Sequence, residues 1–142
     1  MKTGRGFTLI ELMVVVALIA LGTGLASLAL RDSEGSALAR DAERLAALLE
    51  SARAQSRAAG VPVRWRATAG GFAFDGLPAN ARPLPTHWLD ARTAALGNAP
   101  LLLGPDPVIG PQAVVLHRTG SSRPLMQVAT DGLRPFSMAQ MP

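Results

Sequence analysis

Hydrophobic residues follow three successive patterns along this chain. Residues 7–30 form an almost uninterrupted apolar stretch, in which Glu11 is the only charged side chain. Residues 36–59 then carry apolar side chains every three or four positions, which is the period of an amphipathic helix. After Gly60, apolar and polar residues alternate in short runs, as they do in half-buried strands. The order predicts a long N-terminal helix followed by a β-rich region.

The apolar stretch is long enough to cross a membrane. A helix of residues 7–30 would extend about 36 Å, against a hydrocarbon core of roughly 30 Å. Lys2 and Arg5 precede it, and basic residues on the short side predict a cytoplasmic N-terminus and an exported C-terminal part. A cleaved secretory signal has a shorter apolar region, of about 7–15 residues, next to a small-residue cleavage site. Here the first plain A-x-A, at residues 37–39, lies beyond several charged residues, so an ordinary signal peptide is disfavoured.

The amphipathic stretch predicts a helix that packs on a sheet. Its apolar stripe recurs at spacings of four and three and consists of Leu38, Ala42, Leu45, Leu49 and Ala52. The charged residues between them are predicted to occupy the remaining helix surface, namely Arg40, Asp41, Glu43, Arg44, Glu50, Arg53 and Arg57. Gly60 followed by Pro62 is a typical end of a helix.

The remaining residues predict short antiparallel strands. Val61, Val63, Trp65 and Ala67 alternate with polar residues, and Gly70-Gly71 is a hairpin-like turn before residues 72–74. Residues 76–100 are predicted to be irregular, and further strands are expected at residues 101–103, 114–116, 125–129 and 136–138. The predicted fold class is therefore α+β, with a long N-terminal helix packed on one small antiparallel sheet.

Composition narrows the class of protein. The length of 142 residues fits one domain, and 49% hydrophobic with 17% charged residues excludes disorder through excess charge. The chain has no cysteine, which excludes disulfide scaffolds, thiolate catalysis and zinc fingers. The net charge of +4 comes from dispersed arginines without a basic run, so we expect a mixed-charge surface. Trp65, Phe72, Phe74 and Trp88 are expected to lie in the core.

No pattern typical of an enzyme is present. His87 and His117 do not have a metal-ligand spacing, and Ser121-Ser122 lacks the context of a nucleophile elbow. Asp75, Asp90, Asp106 and Asp131 are too far apart in sequence to form a calcium loop. We therefore expect neither catalysis nor a bound metal or cofactor.

Residues 2–20, read as KTGRG–FTLIELMVVVALIA, resemble the class III signal of type IV pilins and type II secretion pseudopilins. This resemblance implies that a prepilin peptidase cuts after Gly6 and N-methylates Phe7, and that Glu11 recruits and registers subunits. It also implies four segments: a leader peptide (1–6), a transmembrane and filament-core helix (7–30), an amphipathic helix (31–60) and a periplasmic domain (61–142). From the residues alone, Glu11 could either pair with a neighbouring subunit's amine or reach the lipid headgroups.

The C-terminal half carries a second resemblance. Residues 103–112 and 130–136 resemble the C-terminal domain of H-type minor pseudopilins of type II secretion systems. The resemblance implies a single-pass inner-membrane protein that joins the periplasmic pseudopilus near its tip. Its partners would be other minor and major pseudopilins, the prepilin peptidase and the inner-membrane secretion platform.

The alternative is a minor pilin of a type IV pilus or competence system. Similar pilins bind DNA through surface arginines, for which Arg118, Arg123 and Arg134 are the candidates here. Because no basic run with interleaved aromatic residues is present, a nucleic-acid partner is the less favoured hypothesis.

Overall fold

The computed structural model describes residues 7–141, without the side chains of residues 29–34. The predicted leader peptide, including Gly6, lies outside the described residues. The described chain begins with one helix, α1 (Leu9–Ala59), of 51 residues. Two compact units are present, with their boundary inside α1 between residues 34 and 35.

The first unit contains the apolar part of α1. Residues Leu9–Leu28 form the only helix segment among the described residues that is long and apolar enough to cross a membrane, and none of it is buried. The helix continues through Gly22 and Gly24. Between them, the Thr23 hydroxyl donates to the carbonyl of Ile19 at 2.7 Å. This bond gives the hydroxyl a partner within its own helix, which an apolar environment requires.

The second unit begins with the amphipathic part of α1, whose end was predicted correctly. Gly60 has a φ of 66°, a left-handed conformation that glycine adopts without a Cβ clash. The amide of Val61 donates back to the carbonyl of Ser56 at 3.2 Å, which is the six-to-one bond of a Schellman motif. The helix therefore ends where the Gly60–Pro62 pattern indicates.

Seven strands follow in two antiparallel sheets. They are β1 (Arg64–Thr68), β2 (Gly71–Asp75), β3 (Thr93–Leu96), β4 (Leu101–Leu102), β5 (Gln112–Arg118), β6 (Leu125–Thr130) and β7 (Ser137–Met141). The first sheet has the order β2-β1-β4, and the second has the order β3-β5-β6-β7. The α+β class is confirmed.

The expectation of one sheet is wrong because β4 is too short to continue the ladder. It pairs with β1 through only two residues, Leu101 and Leu102. At Leu102, the side chain of Gln112 makes the hydrogen bonds that the backbone of a neighbouring strand would otherwise make. Its amide nitrogen donates to the carbonyl of Leu102 at 2.8 Å, and its oxygen accepts from the Leu102 amide at 2.6 Å. The two sheets are thus linked through one side chain.

Two strand predictions and one turn prediction need correction here. β3 lies within residues 76–100, which were predicted to be irregular, because its sequence Thr-Ala-Ala-Leu has little hydrophobic contrast. The first hairpin turns at residues 69–70 rather than 70–71, since Gly71 already pairs with Thr68. Gly71 has a different constraint, because a Cβ there would lie 2.4 Å from the carbonyl oxygen of Thr86. β7 extends to Met141, beyond the predicted limit at residue 138.

One hydrophobic core joins α1 to both sheets. The predicted helix stripe is buried throughout, as are Trp65, Phe72 and Trp88, and Phe74 packs against this core. The Phe72 ring lies 4.6 Å from the Trp88 ring and 6.1 Å from the Trp65 ring, measured between centroids. These edge-on and tilted arrangements are the ones that aromatic quadrupoles favour. The core assignment of the aromatic residues is confirmed.

Asp41 was predicted to lie on the helix surface and is buried instead, with 1% of its surface exposed. Its carboxylate accepts hydrogen bonds from the amides of Leu89 and Asp90, at 2.7 and 3.2 Å, and from the Thr93 hydroxyl at 2.7 Å. A carboxylate that accepts several bonds can remain inside the protein. The loop before β3 is therefore fixed to α1 by this one side chain.

Arg53 is the second buried charge that was predicted to be exposed, with 2% of its surface accessible. Its guanidinium donates to the carbonyls of Gly132, Pro107 and Arg134, at 3.0, 3.1 and 3.5 Å. Glu50 lies 3.4 Å away as its ionic partner. Five donors in a fixed fork suit arginine to several acceptors at once, which explains how its charge is accommodated beside the core.

Candidate functional site: the first turn of the apolar helix

Thr8 caps the N-terminus of α1. The Glu11 amide donates to the Thr8 side-chain oxygen at 3.3 Å and to the Thr8 carbonyl at 3.1 Å, and the Leu12 amide reaches the same carbonyl at 3.3 Å. Thr8 followed three residues later by Glu11 has the spacing of a capping box. The local sequence thus fixes the start of the helix at Leu9, directly after the cap residue Thr8.

This cap places two predicted site residues at one end of the helix. Phe7 precedes the cap and is 74% exposed, while Glu11 is the third residue of α1 and is exposed as well. A carboxylate in the first helical turn is favoured by the partial positive charge of the free amide groups. The assigned roles of Gly6, Phe7 and Glu11 in cleavage, methylation and registration stay predictions.

The apolar helix surface around this site is uncovered. Its exposed large side chains are Leu9, Ile10, Leu12, Met13, Val14, Val15, Val16, Leu18, Ile19, Leu21, Leu25 and Leu28. Apolar surface of this extent marks a region that contacts lipid or another protein. The arrangement can therefore insert into a membrane or pack with other helices, with Glu11 as its only carboxylate.

The alternative function, DNA binding, depends on three surface arginines, and one of them is not on the surface in the structure. Arg118 is 2% exposed, and its guanidinium lies 2.9 Å from the Asp90 carboxylate. The pKa of Asp90 is lowered, first by the hydrogen bond from the Arg92 amide and then by Arg118. The assignment of Arg118 as a DNA contact is wrong, because its charge points into the domain. Its position in phase with Val114 and Leu116 is a sequence signal that indicates this burial.

The other two arginines lie in separate loops. Arg123 is exposed between β5 and β6. The Arg134 side chain, 86% exposed, is paired with the Asp131 carboxylate at 2.9 Å between β6 and β7. The amides of Arg134 and Leu133, in that order, account for most of the lowered pKa of Asp131. The predicted group of three arginines is therefore not a single cationic surface.

The segment 130–136 that carries the second resemblance is a tightly bonded loop. The Thr130 hydroxyl donates to the carbonyl of Arg134 at 2.6 Å and accepts from the Gly132 amide at 3.0 Å. Gly132 has a φ of 93°, and a Cβ there would lie only 1.8 Å from the carbonyl oxygen of Ile109. Phe136 is buried, and its amide donates to the Glu50 carboxylate at 3.0 Å. The motif thus serves to place this loop against α1 and the neighbouring loop.

The two histidines occupy separate positions. His87 lies in the loop before β3, where its carbonyl accepts from Arg44 at 2.8 Å. His117 is the penultimate residue of β5. Within residues 7–141, no group of three histidine, aspartate or glutamate side chains is arranged to hold a metal ion.

Comparison with protein families adds one finding at the N-terminus. Residues 1–27 match the family model described as the prokaryotic N-terminal methylation motif. The match includes Gly6, Phe7 and Glu11 and fits a type IV pilin-like protein with a single membrane-spanning helix. Neither a curated protein nor a solved structure matches the chain.

Proposed function

We propose that this protein is an H-type minor pseudopilin of a type II secretion system. In this role it is a structural subunit near the tip of the periplasmic pseudopilus and supports export of folded proteins across the outer membrane. The observation that carries the proposal is the methylation motif at residues 1–27, which leads directly into an exposed apolar helix.

The methylation motif supports a two-step maturation. A prepilin peptidase cuts between Gly6 and Phe7, and the amine of Phe7 is then methylated. The new N-terminal residue, Phe7, directly precedes the cap residue Thr8 and lies four positions before Glu11. In a bundle of such helices, each carboxylate can accept the amine of a neighbouring subunit. That pairing offsets part of the cost of removing both charges from water.

The location and partners follow from the same proposal. The precursor crosses the inner membrane once, with a cytoplasmic N-terminus and a periplasmic C-terminal unit. After processing it joins other minor and major pseudopilins and contacts the inner-membrane secretion platform. No step requires catalysis by this chain or a bound cofactor.

The C-terminal loops offer a surface for a neighbouring pseudopilin. The amide of Ile109 donates to the carbonyl of Gly132 at 3.4 Å, so residues 105–110 and 131–136 lie side by side. Val108 is 60% exposed and Leu133 is 72% exposed on these loops. Both belong to or adjoin the segments that resemble H-type pseudopilins, which supports this subfamily over a pilin that binds DNA through Arg118.

Deletion of the gene tests the role in secretion. We expect folded exoproteins to accumulate in the periplasm of the deletion strain, while twitching motility and DNA uptake continue. Restoring the wild-type chain should restore release. A strain that secretes normally and loses pilus function or transformation would contradict the proposal in favour of the type IV pilus alternative.

Cleavage is tested separately with Gly6→Val, in which a β-branched side chain obstructs the peptidase at the scissile bond. Mass spectrometry should find the full-length precursor in a host that carries the peptidase. The matched control is Gly4→Val, two residues upstream, which should yield the mature N-terminus at Phe7. A mature N-terminus in both variants would exclude Gly6 as the cleavage residue.

A further inference from the structure

A cleft lies between the last turns of α1 and the loop that follows β2. Its volume is about 440 Å³, and ligand sites in proteins typically have volumes of about 300–1,000 Å³. On the helix side, the lining residues recur at i, i+3, i+4, i+7 and i+8 from Ser51. That spacing places them on one face of the helix. One helix face and one loop therefore form the cleft, and all of its lining residues belong to the second unit.

The cleft is open because its helix wall has small side chains and its loop is anchored. Ala54 and Ala58 line the wall, where longer side chains would extend towards the loop. The loop is held on both sides, because Leu77 and Leu84 pack against the hydrophobic core. Between them, a backbone hydrogen bond of 2.9 Å closes the turn at residues 78–81. Collapse of the loop onto the helix would withdraw these leucines from the core.

The polar groups of the cleft include two donors without an acceptor. The Gln55 carboxamide oxygen is buried, and its nitrogen is accessible and makes no hydrogen bond within the described part of the chain. Arg82 is exposed and has no ion pair with a described carboxylate. None of the described residues that line the cleft is Asp or Glu. An amide NH2 and a guanidinium without an acidic neighbour are complementary to a carboxylate.

We propose that this cleft binds a peptide segment of another protein through an aspartate or glutamate side chain. The carboxylate accepts hydrogen bonds from the Gln55 amide and the Arg82 guanidinium. The methylene groups beside it pack against Ala54 and Ala58. This site is independent of the proposed role in secretion, because it lies within the second unit and needs no other component.

The openness of the cleft favours a peptide over a small molecule. Ala54 and Ala58 on one wall and Arg82 on the other are all exposed. A site for a small molecule encloses about 70–90% of the ligand surface, which such exposed walls do not. A polypeptide can instead pass through the cleft and leave it on both sides. Because Arg82 is exposed, its pairing should strengthen binding only about fivefold, and we expect a dissociation constant of about 5 mM for a short peptide.

A single introduced thiol can report on this site, because the chain contains no cysteine. The full-length Ala58→Cys chain is purified in detergent micelles, and its alkylation by iodoacetamide is followed by mass spectrometry. Ala47→Cys, an exposed position of α1 outside the cleft, is the matched control. The probe is the peptide acetyl-Ala-Glu-Ala-amide at about 10 mM. Its uncharged counterpart is acetyl-Ala-Gln-Ala-amide, used at equal ionic strength.

The glutamate peptide should slow alkylation of the Ala58→Cys chain about threefold, the protection expected at twice the dissociation constant. The glutamine peptide, which binds about fivefold more weakly, should slow it only about 1.4-fold. Alkylation of Ala47→Cys should be unchanged by either peptide. Glutarate at the same concentration offers carboxylates without a peptide and should protect less than the glutamate peptide does.

A second pair of variants tests the cation in the Ala58→Cys background. Arg82→Gln should remove the difference between the two peptides. Arg64→Gln, which changes an exposed arginine outside the cleft, should preserve it. Tryptophan fluorescence of each chain establishes that it is folded, because Trp65 and Trp88 are both buried.

Four results would overturn the proposal. No protection of Ala58→Cys, or equal protection of Ala47→Cys, would exclude the cleft as the binding site. Equal protection by the two peptides, or a difference that survives Arg82→Gln, would exclude recognition of a carboxylate. Glutarate that protects as well as the glutamate peptide would exclude a peptide as the required ligand. Each of these results leaves the role in secretion to its own test, because the measurement uses one purified chain.

Discussion

The Asp41 carboxylate accepts a hydrogen bond from the Thr93 hydroxyl at 2.7 Å, although 52 positions separate the two residues in the chain. The same carboxylate accepts from the amides of Leu89 and Asp90. A single helical side chain thus holds both the loop before β3 and the start of β3. The apolar stripe of α1 packs in the hydrophobic core, and Asp41 fixes the position of β3 relative to α1.

Replacing Asp41 by Asn should destabilise the domain by about 2–3 kcal/mol, because the NH2 group of the amide cannot accept a hydrogen bond and leaves buried donors unpaired. Urea unfolding followed by tryptophan fluorescence measures this change. Glu43→Gln, on the exposed side of the same helix, is the control and should change stability by less than about 0.5 kcal/mol. Equal effects of the two variants would contradict the clamping role of Asp41.

Gly132→Ala should destabilise the domain by more than about 3 kcal/mol, since a Cβ would clash with backbone and the positive φ would be strained. The closest atom is the carbonyl oxygen of Ile109, at 1.8 Å from the Cβ position. Gly120→Ala is the matched control, because Gly120 also has a positive φ of 83° but an open Cβ position. That variant should lose only about 1–2 kcal/mol, the cost of the left-handed conformation. Thermal unfolding of both variants distinguishes the two contributions.

The ion pair of Asp90 and Arg118 predicts a dependence of stability on acid. The Arg92 amide and Arg118 lower the pKa of Asp90, so its stabilising contribution is complete above the ordinary aspartate pKa of about 3.9 and is lost as the pH falls below it. Asp90→Asn should therefore be less stable than the wild type at neutral pH. The two unfolding midpoints should converge as the pH falls from the ordinary aspartate range through the lowered pKa of Asp90, and parallel curves would exclude this contribution.

Removing the charge of Glu11 should impair assembly and leave insertion unaffected. Glu11→Leu makes membrane residence more favourable, so membrane-bound and cleaved protein should stay constant or increase. Crosslinking to partner pseudopilins should decrease, because the acceptor for a neighbouring amine is lost. Glu11→Gln separates charge from helix capping, since it keeps a polar side chain of the same size. Wild-type crosslinking in Glu11→Gln would assign the role of this residue to capping or to contact with lipid headgroups.

Sequence patterns predicted the features that depend on local periodicity. The helix stripe, its end at Gly60 and the alternation in β1 follow directly from spacing and from the conformational freedom of glycine. The burial of Asp41 and Arg53 was missed because binary patterning assigns every charged helical residue to the surface. Their partners lie far away in sequence, and nothing local indicates that backbone groups from distant loops meet them there.

For the functional sites too, the sequence predicted what depends on neighbouring residues and missed what depends on distant ones. The apolar stretch predicts a helix from residue 7, and the structure begins it two residues later, at Leu9, because Thr8 caps its first turn. Which side chains reach the surface of the domain depends on the order of the strands. That order was not predicted, because β3, within residues 76–100, has a weak hydrophobic pattern. The alternation of Val114 and Leu116 continues to Arg118, but the strand predicted at residues 114–116 ended before Arg118, so its burial was missed.

The hydrogen bonds of Arg53 also determine when the domain can finish folding. Arg53 is synthesised 79 residues before Gly132, whose carbonyl oxygen accepts a hydrogen bond from the Arg53 guanidinium. A nascent chain can form α1, but that helix carries a charge whose carbonyl partners have not yet left the ribosome. Closure of the core must therefore wait until residues 132–134 have been synthesised, so α1 and the first strands cannot complete the domain by themselves.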